Sequence, residues 1–216
     1  MMERFRAFWT GIFAPVGNLF LRWGVSPDVV TVVGTLGVSA GALIFFPQGQ
    51  LLIGVLVITA FVFSDMIDGY MARQLGRSSK WGAFLDSTMD RFGDAAVFGG
   101  LVLYFLAGPG DSVTYGCLAL LCLVLGSITS YARARAESLG MHAKGGIAER
   151  ADRLVAVLVM TGLSDLLGLP WLLYLVLWVL AAASAVTVVQ RMKIVYDQTV
   201  VPDPTDASGP TDAPTA

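Results

Sequence analysis

Charge is scarce in this sequence. Of 216 residues only 14 are Lys or Arg and 16 are Asp or Glu, whereas soluble domains carry about a quarter charged residues. Imidazole is almost missing: His142 is the only histidine, so no second imidazole exists to build a zinc site. Thiols are nearly as rare. Cys117 and Cys122 lie five apart in an apolar run, neither a C-x-x-C pair nor a disulfide framework, which leaves helix packing as their role. The 24 glycines have no period, which removes collagen-like folds. What the chain has instead is apolar length. Hydrophobic residues make up 56% and the mean hydropathy is +0.71. Several long apolar runs argue against a water-soluble enzyme and for an all-α, multi-span membrane protein with no nucleic-acid partner.

A span needs about 20 mostly apolar residues, and six segments qualify: roughly 28–46, 51–72, 86–107, 112–134, 148–164 and 170–190. The breaks carry turn chemistry at Pro47-Gln48-Gly49, Gly108-Pro109-Gly110 and Gly168-Leu169-Pro170. Ser26-Pro27-Asp28 predicts a helix start, with Ser as cap, Pro in the first position and an acid in the first turn. The basic residues are placed with a complete bias. They lie near the N-terminus (Arg4, Arg6, Arg22), around the 2–3 connection (Arg73, Arg77, Lys80, Arg91), around the 4–5 connection (Arg133, Arg135, Lys144, Arg150, Arg153), or after the last span (Arg191, Lys193). The opposite loops hold only Asp111 and Asp165. Both termini are therefore expected in the cytoplasm of a cell membrane.

Residues 1–24 repeat Phe5, Phe8, Trp9, Ile12, Phe13, Val16, Leu19 and Phe20 at helical spacing beside arginines, which predicts an amphipathic helix lying in the cytoplasmic interface. Pro15 and the lack of a small-residue cleavage site argue against a signal peptide. A six-span domain is expected over 25–195, and the Pro-rich residues 196–216 are expected to form a disordered tail.

Four carboxylates stand where few belong. Asp65 and Asp68 are three apart at the end of span two, and Asp86 and Asp90 are four apart at the start of span three; both spacings share one helical face. An acid within a span costs at least ~2.5 kcal/mol, so four uncompensated ones would cost roughly 10 kcal/mol, comparable with the stability of a whole domain. Three kinds of compensation compete: pairing with Arg73, Arg77 or Arg91, a proton or cation relay such as a Mg²⁺ transporter would use, or divalent metal ions held by carboxylate oxygen. An all-oxygen set suits Mg²⁺ or Mn²⁺, and four acids could hold two ions, the arrangement that serves phosphoryl transfer.

The run Asp65-x-x-Asp68-Gly69-x-x-Ala72-Arg73, eight residues, then Gly82-x-x-x-Asp86-x-x-x-Asp90 matches every fixed position of the CDP-alcohol phosphotransferase signature, and the chain resembles that family. The resemblance implies six transmembrane helices, often a homodimer, and a two-metal site at the cytoplasmic membrane face where an alcohol displaces CMP from a CDP-linked lipid. It implies Asp65, Asp68 and Asp86 as metal ligands, and Asp90 as both ligand and base for the acceptor hydroxyl. Gly69, Arg73 and Ser79, with Asp28 and Thr31, would line the CDP-diacylglycerol site.

The acceptor is read elsewhere. Arg133, Arg153 and Arg191 come from three helix ends at the level of the acids, and converging guanidiniums suit a phosphate on the incoming alcohol. The bland alternative makes them membrane anchors or partners of Glu137, Glu149 and Asp152. The SPDVVT, YARARAE and ERADRL runs extend the resemblance to actinobacterial members that use inositol phosphate (1D-myo-inositol 3-phosphate), in which matching arginines bind the acceptor phosphate. Members using glycerol 3-phosphate are the nearest rival, since both acceptors carry a phosphate. Asp94, one turn beyond Asp90, is placed to orient Arg91 or Arg73 but has no assigned part. Gly37-x-x-x-Gly41 fits a helix-packing contact without identifying its partner.

Overall fold

The computed structural model describes residues 14–75 and 79–200, the side chains of Asp65 and Met66 excepted. Every element among these residues is helical. Helix α1 (residues 14–22) is followed by α2 (Pro27–Ala40), which ends in a wider π-helical segment, Gly41–Phe45. Then come α3 (Leu51–Val62), α4 (Ser64–Gln74), α5 (Lys80–Ala107), α6 (Val113–Ser138), α7 (Arg150–Leu167) and α8 (Trp171–Val200).

Among the described residues four stretches are long and apolar enough to cross a membrane: Pro27–Phe45, Leu51–Gln74, Val113–Ser138 and Trp171–Val200. Helices α5 and α7 occupy the other two expected spans, but Asp86, Asp90, Arg91 and Asp94 break the apolar run of α5, as Arg150, Asp152 and Arg153 break that of α7. The expected interfacial helix falls partly on residues 1–13, outside the described residues. Its second half, α1, is helical and packs on α4: Phe20 and Leu21 lie against Tyr70 and Met71, and Tyr70 Oη donates to Asn18 Oδ1 at 3.2 Å. At the other end of the chain, α8 continues through residues 196–200, where the sequence predicts that the tail begins.

Local chemistry explains the element boundaries. Ser26 caps α2, accepting from the Val29 N–H at 3.3 Å. Between α3 and α4 the helix bends at Phe63, where Ser64 Oγ donates to the Phe61 carbonyl at 2.6 Å and competes with the backbone ladder. The glycine stripe of α2 faces this bend. A Cβ at Gly34 would collide with Ser64 Oγ, one at Gly37 with the Phe61 ring, and one at Gly41 would press on Ile58 at 3.0 Å. The Gly37-x-x-x-Gly41 contact is therefore made within the chain.

The bundle core joins α2, α3, α5, α6, α7 and α8 around Phe46, Ile58, Val97, Leu101, Phe105, Val157, Leu173 and Leu177, all fully buried. Cys122 is buried there and donates its thiol to the Leu177 carbonyl at 3.3 Å, while Cys117 is exposed and also free. Short connections gather at one end: Gly49 lies against Pro109, and Asp165 Oδ2 accepts from the Leu52 N–H at 2.8 Å. The rings of Tyr115 and Tyr174 stack there at 4.0 Å. The charged starts of α2, α5 and α7 meet the ends of α4, α6 and α8 at the opposite end.

Candidate active site

Helices α4 and α5 supply the acids. The backbone places Asp65 and Asp68 three apart on α4, and Asp86 and Asp90 four apart on α5. Asp68 is buried and accepts a hydrogen bond from Thr31 Oγ1 of α2, so Thr31 fixes the rotamer of an expected ligand. Asp86 is exposed. Asp90 is only partly covered, and its Oδ1 meets Arg150 Nη1 of α7 at 2.9 Å. No group of three or more metal-ligating side chains is gathered tightly enough to hold an ion among the described residues, and the side chain of Asp65 lies outside them. The donor set nevertheless fits a hard divalent cation: it is all carboxylate, it sits on two consecutive helices, and the Thr31 hydroxyl holds buried Asp68 in place.

Arginine pairing, one of the three compensations considered, is present in part and from an unexpected residue. Arg150 bridges Asp90 and Asp94, with its Nε 3.1 Å from Asp94 Oδ1. Arg91 adds a contact of 3.5 Å to Asp94 Oδ2 and a looser one of 3.9 Å to Asp90. Sequence reasoning counted Arg150 only among loop charges and left Asp94 without a role. The available signal was the recurrence of acid at 86, 90 and 94, which extends one helical face by another turn. Arg77 is outside the described residues.

The expected donor-site residues lie on α2, on α4 and at the start of α5. Asp28 accepts from Trp81 Nε1 at 3.0 Å, which ties the start of α2 to the start of α5. Ser79 is the cap of α5 and accepts the Gly82 N–H at 2.9 Å. Arg73 is exposed on the last turn of α4 and lies over Gly69, where a Cβ would stand 3.5 Å from its Nη1. A cleft between α2, α5 and α7 is lined by Thr31, Gly34, Thr35, Met89, Asp90 and Arg150.

The three arginines behave differently from one another. Arg153 is buried and donates through Nη1 to the Ala148 carbonyl at 3.1 Å and through Nη2 to the Gly126 carbonyl at 3.4 Å. Arg191, equally buried, donates to the Gly145 carbonyl at 3.1 Å and the Thr129 carbonyl at 2.5 Å. Arg133 is half-buried and pairs with Glu137 of its own helix at 2.9 Å, the partner the bland alternative gave it. Arg191 lies within electrostatic reach of Arg133, Glu149 and Glu137, and Arg153 within reach of Asp94, Arg91, Arg191 and Arg150. Backbone carbonyls take the hydrogen bonds of the two buried guanidiniums without neutralising them. Gly126, missed by sequence reasoning, makes room for this: a Cβ there would stand 3.2 Å from Arg153 Nε and Nη2. A capping box at Glu149 and Asp152 fixes the first turn of α7 that carries both Arg150 and Arg153.

Residues 24–189 match the family model for CDP-alcohol phosphatidyltransferases. The phosphatidylinositol phosphate synthase of Cutibacterium acnes is 54% identical over 199 residues, covering 89% of this chain and 96% of the relative. Among solved structures, that of the Mycobacterium tuberculosis phosphatidylinositol phosphate synthase with CDP-DAG bound superposes with a TM-score of 0.81 at 43% identity, covering 86% of this chain and 94% of that one. A second structure of the M. tuberculosis protein, in complex with manganese and citrate, gives a TM-score of 0.80 at 42% identity over 85% of this chain and 88% of that one.

Proposed function

The chain belongs to the CDP-alcohol phosphatidyltransferase family, and from that premise we propose that it transfers the phosphatidyl group of CDP-diacylglycerol to inositol phosphate, giving phosphatidylinositol phosphate and CMP. The carrying observation is that the family's acid signature lies across α4 and α5 in a chain 54% identical to a phosphatidylinositol phosphate synthase. The likeness to a manganese-containing structure and the all-oxygen donor set support divalent metal dependence, on Mg²⁺ or Mn²⁺. In this reading the acids make a catalytic centre, not the ion path of a transporter.

Asp65, Asp68, Asp86 and Asp90 hold two such ions. When bound, the ions neutralise the pyrophosphate and stabilise the charge that develops on departing CMP. Asp90 takes the proton of the acceptor hydroxyl as that oxygen attacks the phosphorus on the lipid side. The new oxygen–phosphorus bond forms in line with the breaking bond to CMP, which leaves with the electron pair. Arg150 steadies Asp90 from α7, and Thr31 steadies Asp68 from α2. Asp28, Thr31, Gly69, Arg73 and Ser79 border the CDP-diacylglycerol. Arg133, Arg153 and Arg191 receive the acceptor phosphate. The two buried ones can do so because each spends only part of its five-donor fork on backbone.

The protein is a membrane protein. The one-sided placement of its Lys and Arg supports six spans, cytoplasmic termini and an active site at the cytoplasmic face, so that acyl chains stay in lipid while the acceptor arrives from water. A homodimer, which the family resemblance implies, is part of the same proposal. The test offers radiolabelled CDP-diacylglycerol to the purified protein with inositol phosphate, free inositol or glycerol 3-phosphate. Label should move to lipid product with inositol phosphate, and only with metal present. Turnover with glycerol 3-phosphate alone, or undiminished turnover in chelator, would overturn the reading.

A further inference from the structure

The segment 140–149 joins α6 to α7 without regular structure. A connection of this kind is ordinarily the most adaptable part of a bundle, yet here one face of α8 holds it along its length. Thr187 Oγ1 accepts the Ala148 N–H at 3.1 Å. Arg191 Nε donates to the Gly145 carbonyl at 3.1 Å. Gln198 closes the far end with both halves of its amide: Oε1 accepts the His142 N–H at 2.9 Å, and Nε2 donates to the His142 carbonyl at 2.6 Å. Positions 187, 191 and 198 are four and seven apart, which puts them on one helical stripe. The loop is shaped to lie against that stripe. Gly145 and Gly146 have φ of 121° and 131°, and a Cβ on Gly146 would collide with the Thr187 methyl.

Arg153 completes the arrangement from α7, through its bond to the Ala148 carbonyl. Both buried arginines that take the acceptor phosphate under the proposed function therefore grip this loop's backbone, and loop and guanidiniums cannot move independently. Helix α8 is 30 residues long, about 45 Å, which outruns a hydrocarbon core of about 30 Å and carries its last turns beyond the bundle end. The family match stops at residue 189, short of both Arg191 and Gln198.

We propose that Gln198 is a positioning residue for the acceptor. Its two-point bond to the His142 backbone straps the α6–α7 loop to α8 and thereby sets the spacing of Arg153 and Arg191 around the acceptor phosphate. Gln198 touches neither substrate, and the inference rests on the acceptor reading given above.

The test compares steady-state kinetics and melting of the full chain, wild type and variants, in lipid nanodiscs. Gln198→Ala should raise the acceptor KM roughly tenfold, with kcat and the CDP-diacylglycerol KM within about twofold. Gln198→Glu keeps the bond from the His142 N–H and should fall between. His142→Ala should match wild type, because only its backbone is used. Trypsin should cleave Gln198→Ala faster at exposed Lys144 within the loop. An unchanged acceptor KM in Gln198→Ala overturns the proposal. So does a joint loss of kcat, both KM values and thermal stability, which would mark a purely structural role. The series is run with whichever phosphorylated alcohol the wild type accepts, so a wild type that rejects inositol phosphate defeats the acceptor assignment and leaves the Gln198 test standing.

Discussion

The acids of the site sit on two consecutive helices, 65 to 90, at spacings of three and four. The arginines come from α6, α7 and α8, 58 residues from first to last (191 − 133 = 58). The two halves also solve opposite electrostatic problems. On the acid side, charge is compensated by other charged groups, visibly by Arg150 against Asp90 and Asp94. On the basic side, Arg153 and Arg191 are solvated by four backbone carbonyls and keep their charge. Under the proposed function one half takes cations and the other an anion, and the first turn of α7 serves both through Arg150 and Arg153. Separation matters, because direct pairing of the acids with these arginines would cancel both sites.

The comparison can be broken most sharply on the acid side. Asp90→Asn should reduce CMP release by roughly 10²- to 10⁴-fold, the usual weight of a general base, while melting and helical content stay near wild type. Wild-type turnover in that variant would remove Asp90 as base. On the basic side, Arg153→Ala or Arg191→Ala should raise the acceptor KM by roughly 10- to 100-fold and also lower the melting temperature, since each removes two buried hydrogen bonds to backbone carbonyls. Lysine at either position should rescue poorly, because a point charge cannot span both carbonyls. An unchanged acceptor KM would return these residues to a purely structural role.

Arg150→Gln tests the bridge between the halves. Its kcat should fall roughly tenfold with the acceptor KM within about threefold, the pattern of a lost transition-state interaction; a selective rise in acceptor KM would instead put Arg150 on the basic side. The smallest effect is expected from Gly126→Ala. Its methyl group would press on the Arg153 guanidinium and should raise the acceptor KM about threefold with kcat unchanged, measured under the same conditions.

Legibility from sequence differed between the halves for a physical reason. Asp65, Asp68, Asp86 and Asp90 announce themselves because carboxylates in an apolar run are costly and because helical spacing alone decides which share a face. The cap at Ser26 and the breaks near Gly49, Gly108 and Gly168 are equally local. Arg150 was not legible: its partners, Asp90 and Asp94, lie 60 and 56 residues away (150 − 90 = 60; 150 − 94 = 56). Ser79, assigned to the donor site through the family resemblance, also caps α5, a role that depends on where the helix starts. The Gly37–Gly41 stripe could have served any neighbour until the bend at Phe63 brought α3 and α4 against it.

The order of apolar and charged residues along the chain was enough to determine an all-helical membrane protein and the helices that bear its acids, because hydrophobic burial and helical periodicity are properties of neighbouring residues; the family came from resemblance to a spaced signature. Which arginine meets a carboxylate and which meets a carbonyl was decided by packing alone. A long charged side chain reaches several partners at similar cost, and only the approach of α6, α7 and α8 fixes the one it finds.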